Sequence, residues 1–200
     1  MDEKPTVVLD LDLTVVHTVS ETIPKKIHKD RLYKIEKNVI NNINMLFHPA
    51  FSFLLPVGQI SNFMTNAVRY HVFLRPHLFY FLYTIKKHFN IIIYTHATEV
   101  YALIILKYIN YILDTYYNTS SIDSWNLNPE LPDFFDIIIA RKTNTSPRIK
   151  SLYNINSINL KNIIIIDDNP DAWDDVFHNI LYKIPPFNYK NFNDNVLLEL

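Results

Sequence analysis

The chain has a single glycine, Gly58, in 200 residues. Walker-type phosphate loops and dinucleotide fingerprints need several glycines at fixed spacing, so that the backbone can wrap closely around an anion. Both are excluded, and any phosphate chemistry must use another device. Cysteine is absent, which excludes disulfides and thiolate metal sites. No charge of one sign dominates: 19 Lys and Arg face 20 Asp and Glu, a formal net charge of −1. Bulk charge therefore makes no case for a nucleic-acid or polyanion binder. No run approaches the roughly 20 apolar residues that a spanning helix needs. The best stretch, YALIILKYINYIL, is broken by Lys107 and Asn110 and reads as a core helix, while MLFHPAFSFLLPV carries His48, Pro49, Ser52 and Pro56. The start, MDEKP, is polar and acidic, unlike a secretory leader. The expectation is a soluble intracellular protein with no membrane contact.

What is present is a globular composition, 48% hydrophobic and 20% charged, in a length that suits one domain with a sizeable core. Abundant Ile, Asn, Lys and Tyr beside scarce Gly and Ala read as the coding bias of an AT-rich genome, such as that of a virus or parasite.

Short apolar runs without polar alternation recur along the chain. Val7–Leu11, IIIY ending at Thr95, FDIIIA, and Ile163–Ile166 read as buried strands. Tyr70–Leu74 is expected to be a further strand leading into a helix with Pro76 in its first turn and Leu78, Leu82, Ile85 and Phe89 on one face. A second helix is expected from Thr98 to Leu113, with Thr98 as N-cap and Glu99 in the first turn. Asn118–Pro132 reads as a polar loop, Pro147–Tyr153 as a short helix, and DNVLLEL as a final helix. Between Val19 and Arg69 no clear period emerges, only a basic segment (KKIHKDRLYKIEK) and an aromatic one (MLFHPAFSFLLP). That stretch is read as an insertion after the first strand, with room for short strands of its own, in a single domain spanning 1–200. Strands alternating with helices imply an α/β fold, a doubly wound parallel sheet with helices on both faces.

In such sheets ligands sit beyond the carboxyl ends of the strands. The first strand ends in Asp10 and Asp12, the second in Thr95, the fourth in Asp167 and Asp168, and Lys150 lies just before the fourth. Either motif alone is weak, because D-x-D and Asp-Asp-Asn-Pro are also ordinary turn chemistry. Their joint order is the signal. Several carboxylates in one cleft repel one another and call for a divalent cation, and all-oxygen ligands favour Mg²⁺. Asp10 is then an oxygen nucleophile toward phosphorus, forming an aspartyl-phosphate. Asp12 is the general acid that protonates the leaving oxygen and later the base that activates water. Thr95 donates to a phosphoryl oxygen, Lys150 offsets the charge of the transition state, Asp168 is the second metal ligand and Asp167 braces the site. His71, His77 and His96 read as structural or solvent-facing, and Trp125 and Trp173 as packing residues.

With these residues assembled, the chain resembles the FCP1/SCP-type phosphatases of the haloacid dehalogenase superfamily. DLDLTVVHT is similar to the family's first motif, IIIYTHATEVYA to the second, RKTNTSPRIKSL to the third and IIIIDDNPDAW to the fourth. YHVFLRPHLFYFL and IPPFNYKNFNDNVLLEL also resemble family segments, so the likeness runs from Thr6 onward. It implies a Mg²⁺-dependent protein serine/threonine phosphatase of nuclear location, whose substrate is the C-terminal domain of RNA polymerase II or a similar phosphoprotein. It would hold Mg²⁺ by Asp10, the backbone carbonyl of Asp12, and Asp168. It adds Thr14 and Arg141 to Thr95 and Lys150 as substrate-binding residues. No BRCT-like domain and no membrane anchor are expected. The insertion departs from the family's usual short one, and its aromatic segment is a candidate substrate pocket. Two other readings stay open. One is a binding or assembly protein on the same fold, for example in viral nucleocapsid assembly, with a cytoplasmic or virion location. The other is a phosphatase for small molecules or nucleic-acid ends.

Overall fold

A computed structural model describes residues 4–37, 50–57, 64–117, 134–142, 149–155, 162–191 and 193–200. The expected polar loop at 118–132, Trp125, Gly58, the first part of the aromatic segment and the start of the expected helix at Pro147 lie outside these residues.

Two sheets form. The first is parallel and runs β7-β6-β1-β8-β9, built from β1 (Thr6–Leu9), β6 (Asn90–Thr98), β7 (Ile137–Arg141), β8 (Ile163–Asp167) and β9 (Leu181–Lys183). Its inner strands are β-branched and apolar because both of their faces are covered. Val7 and Leu9 point into one hydrophobic cluster with Ile91 and Ile93. Val8 points into another with Ile92, Ile163 and Ile165. Helices α1 (Leu78–Lys86) and α2 (Glu99–Tyr117) cover the first face through Leu78, Phe81, Leu82, Ile105 and Ile109. Short 3-10 turns carrying Leu152 and Phe177, with Trp173, cover the second.

The chain steps outward from β1 to β6 and β7, then returns to the other side of β1 for β8 and β9. The topological switch point is therefore between β1 and β8, where ligand sites form in open α/β sheets. Leu9 lies level with Ile93 on one side and Ile166 on the other. The next residues on these strands, Asp10 and Asp167, consequently emerge side by side.

The second sheet is the insertion. It is antiparallel, ordered β2-β5-β4-β3, from β2 (Val16–His28), β3 (Ile35–Lys37), β4 (Phe51–Pro56) and β5 (Met64–Leu74). It is more regular than the sequence suggested, and it starts and ends outside 19–69. The pairing Val16↔Leu74 closes its base, and the Arg75 amide donates to Val15 O at 3.0 Å. In the described part of the aromatic segment, the rings pack inward rather than onto the cleft beside Asp12. Phe51 and Phe53 are fully buried, and Phe51 stacks on Tyr108 of α2 with ring centroids 4.0 Å apart. Phe53 stacks on Tyr70 at 5.3 Å. Burying two phenylalanines in the main core gains more than leaving them as a wet platform.

Other boundaries shift. α1 begins at Leu78 rather than at Pro76, behind His77 with a left-handed φ of 63°. Phe89 packs on the core from beyond the helix end. α2 starts where expected and runs on to Tyr117. In place of a helix over Pro147–Tyr153, the described part has a bend, a bridge between Lys150 and Trp173, and a 3-10 turn at Leu152–Asn154. The final helix is four residues, Val196–Glu199. Strand β9 has no counterpart among the expected elements. No helix among the described residues is long and apolar enough to cross a membrane.

Candidate active site

β1 stops at Leu9 because the next side chains are carboxylates, yet the Asp10 amide still bonds to Ile166 O at 3.1 Å. The chain then turns tightly. Val15 and Val16 amides both reach Leu11 O at 3.0 and 3.1 Å, and the Leu13 amide reaches Val16 O at 2.6 Å. Leu13 has φ 63°, a left-handed conformation that costs a branched residue about 1 kcal/mol or more. Such strain is held by its surroundings and is common at functional sites. Here the turn brings Asp10, Asp12 and Thr14 to the sheet edge together.

Lys150 is the centre of the arrangement. Its side chain is 2% exposed and its Nζ donates to Asp10 Oδ1 at 2.5 Å and to Asp167 Oδ2 at 2.7 Å. Its backbone is pinned from both directions, with Lys150 N to Ala172 O at 2.7 Å and Asp174 N to Lys150 O at 3.1 Å. Burial alone would lower the lysine's pKa, but the charges of Asp10 and Asp167 outweigh it and raise it. Asp10 is pushed up to about 7, chiefly by burial, with Lys150 opposing and Asp167 adding. Burial is also the main cause of the raised pKa values of Asp12 and Asp168.

Both oxygens of Asp167 accept hydrogen bonds. Beyond Lys150, its Oδ2 accepts from Trp173 Nε1 at 2.7 Å and its Oδ1 from the Asn169 amide at 2.8 Å. Trp173 is thus a packing residue with a second task. Asp168 shares a two-way contact with Thr14: the hydroxyl donates to Oδ1 and accepts from the Asp168 amide, both at 3.1 Å. Thr14 is fully buried. Asp10, Asp167 and Asp168 can each bring one carboxylate oxygen to within 4.8 Å of the others, a group able to hold a metal ion. The donors are all hard oxygens, which fits a divalent cation of the Mg²⁺ or Ca²⁺ type better than a thiophilic metal.

Asp12 faces a cleft of about 260 Å³ between the insertion sheet and the parallel sheet, lined also by Thr18, Tyr70, Thr98, Tyr101 and Arg141. The sequence gives no sign of the contacts that Tyr101 makes here, because its place in the apolar stripe of α2 reads as core. Its hydroxyl lies 2.5 Å from Asp12 Oδ1 and 2.7 Å from Thr18 Oγ1. Burial, then Asp12, raises the phenol pKa, so the phenol keeps its proton. Thr95 is buried at the end of the apolar part of β6, and its Oγ1 accepts from the Ala97 amide at 3.0 Å. That contact leaves the hydroxyl proton for another acceptor. Ser52 bonds to His71, and His77 to Asn195. His96 is exposed at its surface, and the partial desolvation of its ring lowers its pKa. The structure therefore brings Asp10, Lys150, Asp167 and Asp168 together, with Thr14 beneath them. It places Asp12 and Arg141 on one cleft.

Residues 5–200 match the family described as NLI interacting factor-like phosphatase. Among curated proteins, the chain is 30% identical over 170 residues to an RNA polymerase II C-terminal domain phosphatase of Encephalitozoon cuniculi (strain GB-M1), covering 82% of this chain and 36% of that one. Among solved structures, it is similar to Fcp1, an essential RNA polymerase II CTD phosphatase, with a TM-score of 0.54 and 22% identity over 92% of this chain and 42% of that chain. The fission yeast Fcp1 bound to beryllium fluoride gives the same TM-score of 0.54 and 22% identity, over 98% of this chain and 48% of that one. The chain thus spans between about a third and a half of these relatives.

Proposed function

The chain belongs to the NLI interacting factor-like phosphatase family, and from that premise we propose that it is a metal-dependent phosphoprotein phosphatase working through an aspartyl-phosphate. The observation that carries this reading is the buried Lys150 spanning Asp10 and Asp167 beside Asp168. A structural ion pair does not need a third and fourth carboxylate at the same strand ends.

The roles follow from the contacts. Lys150 occupies Asp10 Oδ1, and the other oxygen attacks phosphorus as the bond to the leaving oxygen breaks. Asp12, raised by burial toward the protonated form, gives its proton to that oxygen and then takes one from the water that hydrolyses the acyl phosphate. Thr95 and Lys150 donate to phosphoryl oxygens, and Arg141 contacts substrate across the cleft. Asp167 braces Lys150. Thr14 supports Asp168 rather than touching substrate, because its hydroxyl is already committed and its side chain is buried. A Mg²⁺ held by Asp10, Asp168 and the Asp12 carbonyl would offset the carboxylate charge and polarise the phosphoryl group.

The substrate we favour is a phosphoserine segment such as the C-terminal domain of RNA polymerase II, the target in the names of the relatives, which also argues for a nuclear location. A scaffold reading has less support, since it leaves Asp12 without a task. The test is hydrolysis of p-nitrophenyl phosphate and of a phosphoserine polymerase-tail peptide, with Mg²⁺ or EDTA, by wild type and Asp10→Asn. Metal-dependent turnover that the substitution abolishes supports the reading. Turnover that survives Asp10→Asn overturns it, and activity on nucleotides without activity on the peptide would replace the substrate.

A further inference from the structure

We propose that Tyr101 is a positioning residue for Asp12, and that the insertion sheet takes part in the chemistry by fixing it. This rests on the reading of Asp12 as the acid. Tyr101 is nine-tenths buried on α2, yet its hydroxyl reaches across to two groups on other elements, Asp12 Oδ1 at 2.5 Å and Thr18 Oγ1 at 2.7 Å. A phenol has one proton and two acceptor sites. A carboxylate oxygen is the stronger acceptor, so that proton serves Asp12, and the Thr18 hydroxyl donates in turn to the tyrosine.

Two consequences follow. With Oδ1 held by Tyr101, the proton that Asp12 transfers resides on Oδ2. The carboxyl group is also fixed in one rotamer, which a group lining an open cleft does not achieve alone. The phenol ring is itself immobilised by the insertion: Tyr70 contacts it edge-on at 5.4 Å and Phe53 lies at 5.9 Å. Thr18, Tyr70 and Phe53 all belong to the insertion strands β2, β5 and β4. The insertion therefore orients the general acid as well as walling the cleft. Tyr101 keeps its own proton throughout and forms no bond to substrate in this role.

The test uses leaving-group dependence. With Mg²⁺ present, kcat/KM is measured on p-nitrophenyl phosphate, whose phenolate leaves without much help, and on phenyl phosphate, whose more basic phenolate needs a proton. The proteins are wild type, Asp12→Asn, Tyr101→Phe, Thr18→Val and Thr18→Ser. We expect Asp12→Asn to lose far more on phenyl phosphate. Tyr101→Phe should lose about 10-fold on phenyl phosphate and under about 3-fold on p-nitrophenyl phosphate. Thr18→Val should shift the ratio in the same direction by less, and Thr18→Ser should restore it. Equal losses on both substrates in Tyr101→Phe, or a change in KM alone, would mean packing or substrate contact and overturn the inference while leaving Asp12 as the acid. Equal losses on both substrates in Asp12→Asn itself would remove the acid and this inference with it. Should Tyr101→Phe fail to fold, the Thr18 variants decide: a wild-type ratio in Thr18→Val overturns the proposal.

Discussion

At the scale of single residues, the site is a set of buried charges that stand only in one another's company. Lys150 is the clearest case. Replacing it with methionine keeps the length and removes the charge, leaving Asp10 and Asp167 facing each other without their common partner. Breaking one side of a buried ion pair costs about 3–5 kcal/mol, so we expect a lower Tm in Lys150→Met together with loss of phosphatase turnover. Asp10 gives a pH signature. Its carboxyl is raised from 3.8 to about 7 in the folded, metal-free protein, so between these values the native state holds a proton that the unfolded chain has released. Stability from this group is therefore complete below the lower value and is lost as pH rises through the upper one. The Tm of Asp10→Asn minus that of wild type, both in EDTA, should grow across this window and level off above it. Added Mg²⁺ should flatten the wild-type slope, because a cation favours the ionised carboxylates. A difference that shrinks with rising pH would contradict the burial argument. The sequence exposes Asp10, Asp12, Asp168 and Lys150 because strand ends in an apolar chain make charged residues conspicuous. It conceals Tyr101, whose hydroxyl is a polar tip on a residue that otherwise packs as core.

At the scale of elements, the tight turn after β1 depends on a clip from far along the chain. Arg75, fully buried, donates from Nε to Asp194 Oδ1 at 3.0 Å, from one terminal nitrogen to Thr14 O at 2.9 Å and from the other to Pro185 O at 2.9 Å. One guanidinium ties the end of the insertion, the turn after β1 and the C-terminal segment together. Its planar fork is what makes three separate acceptors reachable at once, which a lysine cannot match. Arg75→Lys should therefore destabilise by about 2–4 kcal/mol, and Asp194→Ala by about 3–5 kcal/mol. Denaturant unfolding would measure both, and a change below about 1 kcal/mol in each would show the clip to be ornamental. The starts of β6, α2 and β8 were legible in the sequence, although β6 runs on to Thr98 and α2 to Tyr117. They were not where long-range pairing sets the structure. Pro147–Tyr153 has helix-compatible residues, but the backbone of Lys150 pairs with the Ala172–Asp174 segment instead, and the burial of Lys150 against two aspartates outweighs local propensity.

At the scale of the whole molecule, the insertion and the parallel sheet share one core. Phe51, Phe53 and Val72 of the insertion belong to the same cluster as Val7, Leu9, Ile91 and Ile105. The insertion should not melt separately, so calorimetry should show one transition, and Phe53→Ala should lower its midpoint as a unit by about 3–5 kcal/mol of stability. Two resolved transitions would refute that coupling. The amino-acid sequence by itself determined the α/β class, the parallel strands, the carboxylates at their ends and the exclusion of glycine-loop and thiolate chemistry, because these depend on local composition and on period. Only the tertiary structure decided that the described strands after β1 form an antiparallel sheet, that Phe51 and Phe53 are core, that Thr14 bonds to Asp168, and that Tyr101 reaches Asp12. Those facts depend on contacts between residues far apart in the chain, up to 154 positions for Thr14 and Asp168, and no local pattern encodes which distant partner will satisfy a buried polar group.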